Sequence, residues 1–182
     1  GIRPAHYYAD DEIIVVASEK AAIKTTFNVE YNQIQEIKPG YALIVQKSGA
    51  YSEKEILKPI ERKSCSFERI YFSRGTDPAI YNERKKLGEL LCPKILEEIN
   101  FDLKHTVFSY IPNTAESSWI GMLQGIENYL EKTRKEVISD KKSSPSEIEA
   151  ALSFRCRVEK FVIKDAKLRP FITYTNSRNN LV

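Results

Sequence analysis

The sequence contains little cysteine, and none of it is paired. Its 3 cysteines, Cys65, Cys92 and Cys156, are odd in number, widely spaced and form no Cys-x-x-Cys motif. Disulfide frameworks and structural zinc sites depend on paired or closely spaced cysteines. The pattern therefore indicates neither kind of site, and we expect three reduced thiols that are mostly buried.

Long apolar runs and a charge excess are also lacking. No run reaches the roughly 18 apolar residues that span a bilayer, and no segment resembles a secretory signal. Lys and Arg total 28 against 25 Asp and Glu, a net charge of +3, which is small for a dedicated nucleic-acid-binding protein. With 42% hydrophobic and 29% charged residues, the composition is typical of a globular protein. We expect a cytoplasmic protein with neither nucleic-acid nor membrane partners.

The first third of the chain has β character. Short β-rich runs at Ile13–Ala17 and Tyr41–Val45 are separated by turn formers such as Pro39-Gly40, which predicts antiparallel sheet. Gly49 and the polar residues Ser52–Glu55 are expected to close this sheet.

A charged connector, Glu61–Ser64, follows the β-rich region. We predict a domain boundary near residues 60–66, which gives one domain over residues 1–62 and a second over residues 63–182.

A long helical pattern follows Asp77-Pro78. Aspartate caps free amides, and proline suits the first helical turn, where its missing N–H costs nothing. Apolar residues then recur at helical spacing: Leu87, Leu90, Leu91, Ile95 and Ile99. Pro93 interrupts the run and predicts a kink or a junction between two helices near Cys92.

A strand, a loop and a helix are predicted next. Thr106–Ile111 has strand character and ends at Pro112. The following helix carries on one face Trp119, Leu123, Ile126 and Leu130. This order is the opening of an α/β unit. Ser144–Glu147 then has the form of a capping box and predicts another helix through Phe154.

Three motifs resemble a known family. Gly1–Pro4, Val16–Glu19 and Ile37–Gly40 are similar to the second half of the glutaminase domain of class II glutamine amidotransferases. These motifs alone do not distinguish amidophosphoribosyltransferases from asparagine synthetases. By its position within that family, and because Gly1 is not an initiator methionine, the chain is expected to be a central fragment.

Two further segments favour the amidophosphoribosyltransferases. Cys65–Arg74 resembles their C-x-[FM]-E-Y-[IV]-Y-F-[AS]-R segment, and Ile80–Gly88 resembles their V-Y-x-A-R-x-x-[ML]-G helix. The Ser-Gly-Gly loop of asparagine synthetases does not occur. By local pattern alone, Cys65–Arg74 is typical of a buried strand at a domain junction.

The resemblance implies a fold of α+β and α/β type. The C-terminal half of an N-terminal-nucleophile glutaminase sandwich would join the start of a type I phosphoribosyltransferase domain. It also implies synthesis of 5-phosphoribosylamine from glutamine and phosphoribosyl pyrophosphate in purine synthesis, with Mg²⁺ as cofactor. Purine nucleotides as regulators and a homo-oligomer are further expectations.

The implied pyrophosphate loop consists of Pro112, Asn113, Thr114 and Ala115. A turn before a helix offers free amides and a favourable dipole to phosphate oxygens, and Thr114 adds a hydroxyl. Asn113 replaces the acidic residue of the family, and Ala115 replaces its serine or glycine. By local pattern alone, this segment is a plain turn and cap.

Lys164 and Arg169 belong to a segment resembling the flexible loop that closes over the substrate in the family, in which Pro170 replaces a threonine. Cationic side chains suit a substrate with several phosphates. By local pattern alone, the segment is a solvated basic loop. We expect residues 164–179 to be mobile without ligand. Tyr81 matches a tyrosine near the interface of the two family active sites, and its alternative role is packing.

No catalytic residue is predicted in this chain. The family's glutaminase nucleophile is the first residue of the mature enzyme, and none of the 3 cysteines matches its context. The segment that binds the ribose in the family does not occur either, so the isolated segment is expected to be inactive. Cys65 matches an iron–sulfur ligand of some relatives, yet 3 cysteines fall short of the usual four, so we predict no cluster in this chain. A cluster in the parent protein stays open. The alternative is a non-catalytic relative that binds purine nucleotide or a partner protein.

Overall fold

The computed structural model describes residues 4–60 and 65–163. The chain divides into two compact units between Ile80 and Tyr81. Both contain α and β structure with small sheets, in agreement with the mixed class predicted. The boundary predicted near residues 60–66 includes residues 61–64, which lie outside the described ranges, and it stays a prediction.

The first unit, unit 1, contains a three-stranded antiparallel sheet. Its strands are β1 (His6–Ala9), β2 (Ile14–Ala17) and β3 (Gln35–Glu36), in the order β2-β1-β3. Helix α1 (Lys20–Phe27) joins β2 to a short 3₁₀ turn, Tyr31–Gln33, before β3. The antiparallel β structure that the sequence predicted for this region is present, although the two predicted strands, β2 and Tyr41–Val45, lie in separate sheets.

The core of unit 1 lies between this sheet and α1. Ile23 on α1 is buried with Val29 and Ile34. Tyr8 and Val15 are partners across β1 and β2, and both pack on this cluster. One face of the sheet is therefore covered by α1 through a small apolar contact.

A hairpin completes the β structure of unit 1. Strand β4 (Tyr41–Val45) pairs antiparallel with β5 (Tyr51–Glu55). The sequence predicted β4, but it assigned Ser52–Glu55 to a polar closing segment, which is wrong. A polar run forms a strand here because an adjacent strand supplies the backbone partners, which local propensity does not reveal. Gly49 lies in the connecting turn at a φ of 86°, where glycine is favoured.

Residues 66–72 are helical, so the strand that the local pattern of Cys65–Arg74 favoured is wrong. A π-helical turn covers Glu68–Phe72. The ring of Phe67 lies 4.9 Å from that of Tyr71 and 5.3 Å from that of Phe72. The wide turn brings these aromatic side chains onto one another, and this packing overrides their β propensity.

The second unit, unit 2, contains most of α2 (Pro78–Glu98). The helix begins as predicted, since Asp77 Oδ1 accepts hydrogen bonds from the amides of Ala79 (2.8 Å) and Ile80 (3.3 Å). Of the kink or junction predicted near Cys92, the junction is wrong because α2 continues through Pro93, and the kink stays a prediction. An internal proline removes one backbone hydrogen bond, and the packing of α2 outweighs that loss.

Two short strands and two helices form the rest of unit 2. They are β6 (Val107–Phe108), α3 (Glu116–Ser139), α4 (Pro145–Ser153) and β7 (Arg157–Val158), and β6 pairs parallel with β7. The strand predicted over Thr106–Ile111 is therefore much shorter. The capping box of α4 is confirmed. The Ser144 amide donates to Glu147 Oε2 at 2.7 Å, and the Glu147 amide donates to Ser144 Oγ at 3.3 Å. Within the described ranges, no helix has the length and apolar character needed to cross a membrane.

Helices α2 and α3 pack through glycines. A methyl group on Gly88 would overlap the carbonyl of Ser118, and one on Gly121 would overlap the carbonyl of Lys85. One turn further on, a methyl group on Gly125 would lie 2.7 Å from Cys92 Cβ. The missing side chains therefore let the two backbones approach closely. The core of unit 2 adjoins this contact at Cys92. Its buried residues are Cys92, Leu96, Leu103, Phe108, Ile126 and Leu130.

Gly121→Ala tests this contact. Alanine usually stabilises a helix by up to about 1 kcal/mol relative to glycine. Overlap with the Lys85 carbonyl should outweigh that gain, and we expect the free energy of unfolding to fall by about 3 kcal/mol. Urea unfolding measures the change, and Gln124→Ala on the exposed side of α3 is the control. Equal or higher stability of Gly121→Ala would show that the helices are further apart.

Arg134 joins α3 to the end of α4. Its side chain is 15% exposed. It donates from Nε to the carbonyl of Ala151 (3.3 Å) and from Nη2 to that of Phe154 (3.1 Å), while Nη1 lies 2.6 Å from Glu127 Oε1. One guanidinium thus binds the last carbonyls of α4, which have no partner within that helix.

Arg134→Ala should lower the free energy of unfolding by about 2 kcal/mol, because hydrogen bonds to a charged group contribute about 1.5–3 kcal/mol. Lys132→Ala is the matched control, since Lys132 is 78% exposed and its nearest carboxylate, Glu136, lies 4.0 Å away. Thermal unfolding compares the two variants. Equal effects would mean that Arg134 contributes only surface charge.

Candidate functional site

The predicted pyrophosphate loop lies between β6 and α3. Residues Pro112–Ala115 form turns directly before the 24-residue helix α3. Asn113, Thr114 and Ala115 are exposed, whereas Pro112 is half-buried, and the Pro112–Asn113 peptide bond is cis. The loop thus stands at a helix N-terminus, as the sequence predicted, with the Thr114 side chain open to solvent.

The first turn of α3 is not capped by a side chain. Ala115 occupies the N-cap position, and its methyl group has no acceptor for the helix amides. The amide of Glu116 donates to the carbonyl of Asn113 at 3.3 Å, and that of Trp119 donates to Ala115 at 2.9 Å. The amides between them, those of Ser117 and Ser118, lie where helix geometry provides no intrahelical acceptor. This end of α3 can therefore donate hydrogen bonds to an oxyanion.

A second group at the site, Tyr110 with Glu116, was missed from the sequence. Tyr110 donates from its hydroxyl to Glu116 Oε1 at 3.1 Å. The Tyr110 ring lies 4.7 Å from that of Trp119, whose buried Nε1 has no hydrogen-bond partner among the described residues. In the sequence, the only indication of this pair was an acidic residue where α3 begins. Helices commonly carry an acidic residue there, so it did not single out Glu116.

Glu116 determines which anions suit this loop. Its carboxylate lies in the first turn of α3, where the positive end of the helix dipole favours negative charge. A bare diphosphate arriving at the same place would meet this negative charge. A diphosphate carrying a divalent cation would meet a carboxylate able to bind that cation. The loop is thus better matched to a metal-bound diphosphate than to a free one.

The donors in the loop are of the kind that Mg²⁺ prefers. Asn113, Thr114 and Glu116 offer an amide oxygen, a hydroxyl and a carboxylate. Magnesium sites commonly combine one or two carboxylates with phosphate oxygens and water. Among residues 4–60 and 65–163, no group of three or more His, Cys, Asp or Glu side chains could hold a metal ion without such help.

Tyr81 lies in the first turns of α2 and is half-buried. The ammonium group of Lys85 on the next turn lies 5.7 Å from the centre of its ring, within range of a cation–π contact. This contact is compatible with the packing role and leaves the interdomain role a prediction. Lys164 and Arg169, the predicted substrate lid, lie outside the described residues, as does the predicted mobile segment over residues 164–179.

The three cysteines differ in exposure. Cys65 is exposed, Cys92 is buried and Cys156 is half-buried, and none forms a disulfide. Burial raises the pKa of Cys92, and the nearby Cys156 adds to the rise. Burial likewise raises the pKa of Cys156, with a further contribution from Glu127. Both thiols are therefore poor sources of the thiolate that nucleophilic catalysis and metal binding require.

Thiol labelling should separate these three residues. With a thiol-reactive disulfide reagent at pH 7.5, we expect Cys65 to react first, Cys156 more slowly and Cys92 only as fast as the core opens. Mass spectrometry of digested samples identifies each labelled site, and protein unfolded in urea gives the reference rates. Rapid labelling of Cys92 in native protein would contradict its place in the core.

Comparison with models of known protein families finds no match to this chain, and comparison with curated proteins finds no significant similarity. The family implied by the sequence motifs therefore stays a prediction.

Proposed function

We propose that this chain provides part of an amidophosphoribosyltransferase, with Pro112–Ala115 as the loop that holds the pyrophosphate of phosphoribosyl pyrophosphate. The observation that supports this proposal is the loop's place directly before α3, where the N-cap residue Ala115 has no acceptor of its own. The order of the five sequence motifs supports the family. The enzyme would make 5-phosphoribosylamine from glutamine and phosphoribosyl pyrophosphate.

The proposed reaction requires a site that stabilises a leaving anion. Ammonia attacks C1 of the ribose, and pyrophosphate departs through an oxocarbenium-like state. Negative charge grows on the leaving oxygen, so fixed donors aimed at the pyrophosphate stabilise the transition state more than the ground state. The amides at the start of α3 and the Thr114 hydroxyl are such donors.

Mg²⁺, when bound, would neutralise part of the pyrophosphate charge. The Glu116 carboxylate would hold it, together with the side-chain oxygen of Asn113. Tyr110 would keep Glu116 oriented through the 3.1 Å hydrogen bond from its hydroxyl. In this proposal, Glu116 takes the part of the acidic residue that Asn113 replaces.

Inorganic pyrophosphate tests the loop directly. With Mg²⁺ present, amide resonances of residues 113–118 should shift in an NMR titration. Thr114→Val should weaken binding about tenfold, because a hydrogen bond to a charged partner contributes about 1.5–3 kcal/mol. Thr133→Val, which alters the same residue type near the other end of α3, is the matched control and should bind as the unsubstituted protein does.

The metal dependence gives a second measurement. Without Mg²⁺, the unsubstituted protein should bind pyrophosphate weakly, whereas Glu116→Gln should bind the free anion better and gain less from Mg²⁺. Absence of shifts at residues 113–118 at millimolar pyrophosphate would refute the loop assignment. Shifts in a purine nucleotide titration that spare this loop would instead support a non-catalytic nucleotide-binding relative.

A further inference from the structure

His6 is a buried titratable residue that the proposed chemistry does not use. It lies on β1, the central strand of the three-stranded sheet, and is 9% exposed. Its Nδ1 atom is buried and has no hydrogen-bond partner among the described residues. A buried polar atom without a partner is costly. A proton on Nδ1 would add a positive charge and a donor without an acceptor, so the buried position disfavours the charged ring.

The strand register places His6 on the α1 face of the sheet. His6 and Tyr8 are two residues apart on β1. Because successive side chains of a strand point to opposite faces, these two lie on the same face. Tyr8 and Ala17, the latter the β2 partner of His6, both pack on the cluster that contains Ile23 of α1. His6 thus lies at the edge of the contact between α1 and the sheet.

Charged groups from three directions face the ring. Lys20 begins α1, Glu36 is the β3 partner of His6, and Asp77 precedes α2. Burial lowers the pKa of His6 most, and Lys20 lowers it further; Glu36, a hydrogen bond with the backbone of Ser18, and Asp77 oppose this. The neutral ring is therefore the form that suits the folded unit.

Helix α1 is the element most dependent on this contact. It has only 8 residues, and Glu19 at its N-cap makes no side-chain capping bond. Isolated helices of this length are unstable in water, because nucleation is costly and few hydrogen bonds follow. Packing of Ala21 and Ile23 on the sheet must therefore keep α1 helical.

We propose that His6 is a pH-sensitive lock of unit 1: the neutral ring lets α1 pack on the sheet, and protonation of the ring in mildly acidic solution releases α1. A proton on His6 places a positive charge in the edge of the apolar contact, beside Lys20. Glu36 and Asp77 oppose the loss of hydration but do not offset it. Release of α1 costs little elsewhere because unit 2 has its own core.

The direction of the pH effect follows from linkage. Above about pH 6.5, the usual pKa of histidine, the ring is neutral in both the folded and the open state. Below that pH, the open state binds a proton that the folded state excludes, so opening becomes more favourable as the pH falls. The loss is complete once the pH passes below the lowered pKa of His6 in the folded state.

Titration of the His6 ring tests the proposal directly. In an NMR titration of the unsubstituted full chain, the His6 ring should titrate below about pH 6.5, the usual pKa of histidine, because burial and Lys20 disfavour its charged form. A titration of His6 at or above that pH would overturn the proposal, and this measurement needs no variant to fold. His105, whose side chain is 74% exposed, is the control position for the variants.

Amide hydrogen exchange tests the release of α1. Between pH 7.5 and pH 5.5, after correction for intrinsic exchange, the opening constant of residues 20–27 should rise by up to about tenfold, because a free histidine is protonated about ten to one at pH 5.5. Helix α3 should show no comparable rise. His6→Gln should abolish the rise in α1, whereas His105→Gln should retain it. A rise in α1 that persists in His6→Gln would refute the lock.

Discussion

The close contact between α2 and α3 is the interaction on which the candidate site depends. Gly88 and Gly121 each face a carbonyl of the opposite helix at a distance that excludes any side chain. Each helix thus supplies a glycine to the other's backbone, and the pair is held in one register. That register sets where α3 begins relative to α2. The loop before α3 is consequently presented by a rigid support.

Glu116 places a carboxylate in the first turn of α3, where it accepts a hydrogen bond from Tyr110. The helix amides and the helix dipole favour an anion at the same end. Under the proposed function, attraction of a phosphate to this end depends on whether a divalent cation accompanies it. In that proposal, Asn113 stands in place of an acidic residue, and Glu116 supplies the carboxylate instead.

Helix α1 is held on the sheet by a small apolar cluster. Its buried residues are Ile23, Val29 and Ile34, and partly buried side chains of the sheet pack against them. The free energy of protonating one buried ring at the edge of this cluster is therefore substantial relative to the free energy that holds α1 in place. This is the physical reason why a histidine at the edge of the contact can influence α1.

The sequence alone determined the features whose partners lie within a few residues. Asp77 and the Ser144–Glu147 box bond amides two or three positions away, and the antiparallel sheet and the loop before α3 follow from patterns of similar range. Tertiary structure decided the rest. Strand β5 depends on its pairing with β4, and the continuity of α2 through Pro93 depends on packing against α3. The burial of His6 also emerged only from packing, because its neighbours Ala17 and Glu36 on the adjacent strands are distant in the chain, where local pattern carries no information.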